Sequence, residues 1–561
     1  MFLDLDNLIK FSDTTYGRAF DETVAKHSKK EAFVFQSNRV TWEQVQHRAS
    51  SLAKGLLKLG VKRGDKVGVW MTNNLEWVYS FVAITKIGAV ICAINTRFKT
   101  AELTYSLHQS DVSTLILKDV FLGKINALEM VDELLPELSS CEPGGLRSEK
   151  FPMLRNVICV GSNRLEGMYS FDEVMELGSD YALDDELAKA GASVSPGDIV
   201  NHIYTSGTTG LPKAVMNTHV GWLRQTYWET SEECLGIDEN DRMLGPFPFA
   251  GGMGISSILC SIVHGVPLFF MESWDAEDAL KLIERERLTC AYMLGASMAA
   301  MILDHPNFSK YDISSFKRTQ VAGEPAAPEL IQAMYDKMGT ETIINQYGMV
   351  ETHGAFTQVN PHGSREQATT TVGSIRPWAT LKIVNPNTGE DMPVGQDGEI
   401  WVTGVRANIE ISKGYYKMPD KTAAFIDNDG WVHTGDIGHI RREDGYLVLT
   451  GRLKDMIIVG GYNVYPAEVE ALLAKYPKVA RVAVVGVPDR RLGEVPIAFI
   501  ELKEGEAASE TEIVDFCKSR ISNTKVPKYI RFVTEFPTTM QGKIQKLKLR
   551  EMAVQELGVT R

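Results

Sequence analysis

Residues 41–59, TWEQVQHRASSLAKGLLKL, place Trp42, Val45, Ala49, Leu52, Ala53, Leu56 and Leu57 on one face of a helix. Thr41 is the expected N-cap and Gly60 the expected stop. The run DKVGVWM (65–71) follows as a strand, and helix and strand patterns alternate to about residue 345. That alternation predicts α/β layers built on mostly parallel sheets. The texture changes after about residue 373, where Asp397-Gly398, Asp429-Gly430 and Asp444-Gly445 each precede a short strand-like run: EIWVTG, WVHTGD and YLVLTG. Repeated Asp-Gly turns predict a small antiparallel unit over about 373–453. The remainder, 454–561, reads as a separate smaller domain with a boundary near 453–455. Pro466 opens a helix through EVEALLAKY, VAVVGV (482–487) is a strand, and TEIVDFCKSRI is a second helix.

Composition narrows the function. A chain of 561 residues supports more than one core, and 44% hydrophobic with 23% charged residues suits a globular enzyme. The net charge of −13 argues against a nucleic-acid-binding surface, so a polyanionic ligand must meet local positive charge. Seven scattered cysteines without a CxxC predict reduced thiols in a cytoplasm-like compartment and no zinc site. The start, MFLDLDNLIKFSD, carries Asp4 and Asp6 and no basic flank before a long apolar run, so a cleaved signal is not expected. Two apolar stretches, 78–94 with Lys86 and 254–271 with three serines and His264, are expected as buried core elements and not as membrane spans.

The candidate chemistry begins at YTSGTTGLPK (204–213). A Walker loop requires G-x-x-x-x-G-K-[ST]; here the glycine spacing fails and Ala214 follows Lys213. The composition nonetheless suits phosphate. Gly207 lets backbone N–H groups approach an anion, the hydroxyls of Thr205, Ser206, Thr208 and Thr209 are donors, and Lys213 brings charge. Alone, the same composition also describes a polar surface loop.

The loop is followed by QYGMVE (346–351), TGD (434–436), GRLKDMIIVGGYNVYPAEVE (451–470), VPDRRLGE (487–494) and PTTMQGK (537–543). In this order the motifs resemble the adenylate-forming superfamily of acyl-CoA synthetases, peptide-synthetase adenylation domains and luciferases, and the AMP-forming acyl-CoA synthetases among them. The resemblance implies a large N-terminal domain, 1–453, of two doubly wound α/β subdomains plus the β-rich one. It also implies a mobile α+β C-terminal domain, 454–561. The implied reaction has two halves: a carboxylate attacks the α-phosphate of ATP to give an acyl-adenylate and pyrophosphate, then the thiol of coenzyme A displaces AMP. A carboxylic acid is already ionised at neutral pH, so the first half needs no general base, only cations and aligned donors against charge growth on phosphoryl oxygens.

By the same resemblance, Lys543 bridges carboxylate and phosphate, Glu351 holds Mg²⁺, and Lys213 serves the phosphates with the loop residues Thr205 to Thr209. Asp436 accepts the ribose hydroxyls with Arg452 assisting, while Gln346, Tyr347 and Gly348 lie on one side of the adenine and Gly323, Glu324 and Pro325 on the other. Lys454 takes the hinge position, about which relatives rotate the small domain between half-reactions to present Gly460 and Gly461 to the thiol. A homodimer is common among such enzymes.

Two departures stand out. Val350 replaces a threonine usual before the glutamate, at an expected cost of one hydrogen bond, roughly 0.5–1.5 kcal/mol. Phe249 stands where many acyl-CoA synthetases carry histidine, within GPFPFAGGMG (245–254). With Gly251, Gly252, Ala322, Met349 and His353 it is expected to line a pocket for an apolar, compact monocarboxylate of short to medium length or a ring acid. This segment has no positive charge to pair with a second carboxylate. A stand-alone enzyme loading a carrier protein is the alternative reading.

Overall fold

In the computed structural model, which describes residues 11, 13–205, 212–324, 326–376, 379–404, 411–460, 462–538 and 544–559, the helix expected after Thr41 spans Trp42–Lys58. The Thr41 hydroxyl accepts from the Gln44 N–H, and the Gln44 side chain accepts from the Thr41 N–H at 2.8 Å, closing a capping box. Gly60 (φ +82°) turns the chain out of the helix, and its N–H donates to the Leu57 carbonyl at 2.9 Å. The strand Lys66–Trp70 follows as expected.

The chain packs as two units, one of residues 1–369, 376–379 and 404–428, the other of residues 370–375, 380–403 and 429–561. In the first unit, one sheet runs Gly354–Gln358, Thr342–Met349, Arg318–Val321, Cys290–Ala291, Met243–Gly245, Leu268–Phe270, Glu31–Phe35, Asn38–Thr41. Its inner pairings are parallel and its two outer ones antiparallel. A second sheet runs Lys213–Thr218, Ile199–Thr205, Val90–Ala93, Lys66–Trp70, Val112–Lys118, Asn156–Val160, Tyr169–Ser170, parallel except for the hairpin of its first two strands. Both apolar stretches are core elements. The helices Leu75–Lys86 and Gly252–His264 feed the buried strands Val90–Ala93 and Leu268–Phe270. Among the described residues no helix is long and apolar enough to cross a membrane.

The second unit holds a four-stranded antiparallel sheet, Thr380–Val384, Gly398–Thr403, Val432–Ile440 and Leu447–Arg452, where the Asp-Gly turns predicted one. It also holds a five-stranded sheet centred on Val479–Asp489 and Gly493–Leu502. In the strand Val479–Asp489, Val484 joins one core with Val469, Leu473 and Ile513, whereas Ala483, Val485 and Val487 join another with Leu549 and Ala553. Burial on both faces explains why VAVVGV is apolar throughout.

Two histidines buried in the first unit carry a pH consequence. Burial pulls His202, on Ile199–Thr205, and His219, at the start of His219–Thr230, down to about 3. The folded chain therefore excludes protons that the unfolded chain binds below its ordinary value of about 6.5. The stability from each is fully present above that value and is lost as the pH falls toward 3, at up to ~1.4 kcal/mol per pH unit. Urea midpoints are expected to fall between pH 7 and 5, and the double variant His202→Gln/His219→Gln to flatten the slope. Equal slopes for both proteins would exclude this origin.

Candidate active site

The phosphate-loop motif begins and ends on paired strands. Thr205 closes Ile199–Thr205, Lys213 opens Lys213–Thr218, and the two are register partners. Ser206, Gly207, Thr208 and Thr209 lie outside the described residues, as do Pro325, Gly461 and Lys543. Segment 412–416 runs beside Lys213–Thr218, its Gly414 carbonyl accepting from the Met216 N–H at 2.9 Å and its Tyr416 N–H donating to the Ala214 carbonyl at 2.9 Å. This brings Tyr415 over the motif's edge. The Lys213 ammonium sits 4.0 Å from the centre of the Tyr415 ring. The Tyr415 hydroxyl donates to Glu351 Oε1 at 2.9 Å, and the Thr205 hydroxyl approaches the same oxygen at 3.4 Å.

Glu351 is buried, lies in the short turn Val350–Thr352, and accepts the Ser412 N–H on its carbonyl at 3.0 Å. Burial and the adjoining Glu351 carboxylate push the Tyr415 phenol well above its ordinary range, so Tyr415 stays a donor. Lys213, Thr205 and Glu351, three of the predicted residues, thus meet around a tyrosine that sequence reasoning missed. SKGYYKMP carries no local signal for a partner 64 positions away.

Glu351 follows the strand Thr342–Met349, whose end carries Gln346, Tyr347 and Gly348. A Cβ on Gly348 would lie 2.1 Å from the Gly354 carbonyl oxygen, so the antiparallel neighbour admits only glycine there. The Tyr347 ring packs edge-on to Phe356, 4.8 Å between centres. Gln346 donates to Gln320 Oε1 at 2.7 Å and accepts from Arg376 at 3.3 Å. Arg376 and Glu229 form a fully buried ion pair at 3.2 Å behind this strand, also absent from the sequence reading.

Of the remaining predicted residues of this unit, Gly251, Gly252 and Gly323 fall around the start of the helix Gly252–His264, and the others lie at separate places. A Cβ on Gly252 would meet Trp222 at 3.3 Å and Val350 at 3.5 Å; one on Gly323 would meet Met253 at 3.2 Å. Gly251 is the residue before that helix, and Ala322 packs against the core. Glu324 Oε1 accepts the Ser297 N–H at 2.7 Å and its hydroxyl at 2.8 Å, at the start of the helix Ala296–Leu303. Phe249 is completely buried, its ring 5.4 Å from Trp77 and 4.8 Å from Phe270. His353 is buried beneath Gly221, accepts from the Thr218 N–H at 3.5 Å, and takes a left-handed φ of 58°. Met349 frames the Glu351 turn through bonds with the Thr352 hydroxyl.

In the second unit, Asp436 and Arg452 are opposite one another on adjacent strands, with Arg452 Nε 3.0 Å from Asp436 Oδ1. Lys454 lies in the turn Leu453–Asp455, and burial, helped by the charge of Arg452, pulls its ammonium below its usual value. Gly460 has φ +57° and donates its N–H to the Leu492 carbonyl at 2.8 Å.

The AMP-binding enzyme family matches residues 20–416 and the AMP-binding enzyme C-terminal domain matches residues 468–543. The chain is 37% identical over 550 residues to YngI of Bacillus subtilis (strain 168), provisionally named an acyl-CoA synthetase, with 98% of each covered. It is 34% identical over 564 residues to the mitochondrial medium-chain acyl-CoA ligase ACSF2 of Bos taurus, covering 98% of this chain and 89% of that one. The anthranilate CoA ligase AuaEII, solved in complex with anthranoyl-AMP, superposes with a TM-score of 0.85 at 27% identity, over 98% of this chain and 100% of that one. The chain therefore belongs to the adenylate-forming AMP-binding enzymes, as an AMP-forming acid–CoA ligase.

Proposed function

We propose that this ligase activates a monocarboxylic acid of short to medium chain length, or a compact ring acid, through its acyl-adenylate to the CoA thioester. The supporting observation is the packing at Gly252, where a Cβ would come within 3.3 Å of the Trp222 ring and 3.5 Å of Val350, so the nearest side chains are aromatic and apolar. Such a surface favours an apolar acyl group. The medium-chain activity in the name of the bovine relative and the aromatic acid in that of AuaEII are of the same kind.

In this reading Tyr347 and the Gly323–Glu324 segment serve the adenine, Asp436 with Arg452 the ribose, Thr205 and Lys213 the phosphates, and Lys543 the reacting carboxylate and phosphate. Lys454 is the hinge at a 453/454 domain boundary. Glu351 suits Mg²⁺: it is a hard oxygen ligand whose Oε1 already accepts from the Tyr415 and Thr205 hydroxyls, and its carboxylate would hold the cation. The ion would neutralise charge on the phosphate oxygens. A reducing, cytoplasm-like compartment suits the seven free thiols. The exchange of carboxylate and ATP for thioester, AMP and pyrophosphate is near balance, so pyrophosphate removal sets its direction.

Pyrophosphate release from ATP over a panel from acetate through straight chains to cyclohexanecarboxylate, benzoate and a long-chain acid tests the assignment. Release that needs CoA and peaks at one short or medium chain or one ring is expected. A maximum on the long-chain acid would overturn the substrate class, and adenylation indifferent to CoA would point to a carrier protein as acceptor.

A further inference from the structure

We propose that Glu399 is a positioning residue for nucleotide recognition: its buried carboxylate holds the backbone bulge that aims Asp436. This rests on the reading of Asp436 as the ribose acceptor.

The strands Gly398–Thr403 and Val432–Ile440 pair Glu399 with Ile437 and Trp401 with His433. Between these pairs one strand has a single residue, Ile400, and the other has three, Thr434, Gly435 and Asp436. A bulge of this kind breaks the ladder, leaves backbone groups without their usual partners, and redirects the side chains it carries. Here each gap is filled. The Thr434 hydroxyl donates to the Ile400 carbonyl at 2.7 Å and accepts from the Asp436 N–H at 3.1 Å. Gly435 takes a left-handed φ of 69°, and its N–H donates to Glu399 Oε1 at 3.0 Å. The other Glu399 oxygen accepts the Trp401 indole N–H at 2.9 Å.

Both groups that face Glu399 are donors only, so the site calls for a side chain that accepts at both ends. An ionised carboxylate does; an amide offers one acceptor and one donor, and sets N–H against N–H at one of the two contacts. Glu399 itself is 6% exposed, so an unmatched donor there has little access to water. Glu399 thus fixes Gly435, Gly435 fixes the direction in which Asp436 leaves the strand, and Arg452 meets Asp436 from the opposite side at 3.0 Å.

The test compares kcat/KM for ATP with that for 2′-deoxyATP and 3′-deoxyATP in the full-length enzyme. Wild type is expected to prefer ATP by roughly 10–100-fold, the value of a hydrogen bond to a charged group. Asp436→Ala is expected to lose that preference. Glu399→Ala is expected to lose most of it, with the carboxylate and CoA KM values unchanged, which a general loss of folding would not produce. Glu399→Gln, nearly isosteric, is expected to fall between. Adding Trp401→Phe to Glu399→Gln removes the opposing donor and is expected to restore the preference lost with glutamine. Full preference in both Glu399 variants, with loss in Asp436→Ala, would overturn the proposal and leave the ribose assignment standing. Preference retained by Asp436→Ala would overturn that assignment and this inference with it.

Discussion

Replacing Lys543 with alanine is expected to lower acyl-adenylate formation by roughly 10²–10³, the cost of removing one preorganised charge-stabilising donor. Thioester formation from supplied acyl-adenylate and CoA is expected to continue near the wild-type rate. The asymmetry follows from the chemistry. In the first half-reaction a carboxylate approaches a polyphosphate, so two anions must share a space that grows more negative at the phosphoryl oxygens. In the second, a thiolate attacks an acyl group joined to a phosphate that carries a single negative charge, and the repulsion is smaller than against the polyphosphate. Two neighbouring basic residues are committed elsewhere: Lys546 pairs with Glu470 at 2.6 Å and Arg550 with Glu494 at 2.5 Å. Pyrophosphate exchange reads the first half, and CoA-thioester formation from synthetic adenylate reads the second. Equal loss in both halves, or none in the first, would remove Lys543 from the role the QGK motif suggests.

Local chemistry was legible wherever the determinant lay within a few residues. Thr41, Gln44 and Gly60 bound a helix because capping is decided by adjacent backbone groups. The Asp-Gly turns announce the antiparallel strands around Gly398, Val432 and Leu447 for the same reason. The motifs mark Thr205, Lys213 and Glu351, whereas nothing in the sequence marks the tyrosine that contacts Lys213 and Glu351. Tyr415 reaches Glu351 only because segment 412–416 lies along Lys213–Thr218, and no periodicity encodes that pairing. Phe249 shows the converse limit: an aromatic beside glycines suits a pocket wall, but its ring is packed between Trp77 and Phe270. Sequence gives the side chain's appetite for burial and not its direction. Arg376, which no local pattern singles out, becomes a core residue only through Glu229, 147 positions earlier.

That buried pair carries the largest expected stability effect. Arg376→Met leaves the Glu229 carboxylate enclosed without its counter-charge, and a loss of roughly 3–5 kcal/mol is expected. Glu229 remains hydrogen-bonded to the Ala355 N–H at 3.1 Å, the Gln225 amide at 2.6 Å and the Tyr292 hydroxyl, so the defect is charge and not missing donors. Neutralising it should therefore repair it: Glu229→Gln keeps an acceptor oxygen, and methionine retains apolar contact with Trp228, which the guanidinium covers at 4.1 Å. The double variant Glu229→Gln/Arg376→Met is expected to regain more than half of the stability lost by Arg376→Met alone, because a matched neutral replacement of a buried ion pair costs little. Activity should recover less completely. Arg376 also donates to Gln346 and Gln358 at 3.3 Å, and Gln346 directly precedes Tyr347, so the strand end assigned to adenine loses a brace that methionine cannot supply. Chemical unfolding of the three proteins, with KM for ATP on each, separates the two effects. A single variant as stable as wild type, or a double variant no better than the single, would show that the pair is not electrostatically coupled. Restored stability with a raised KM for ATP is the outcome that ties this buried charge to the nucleotide site.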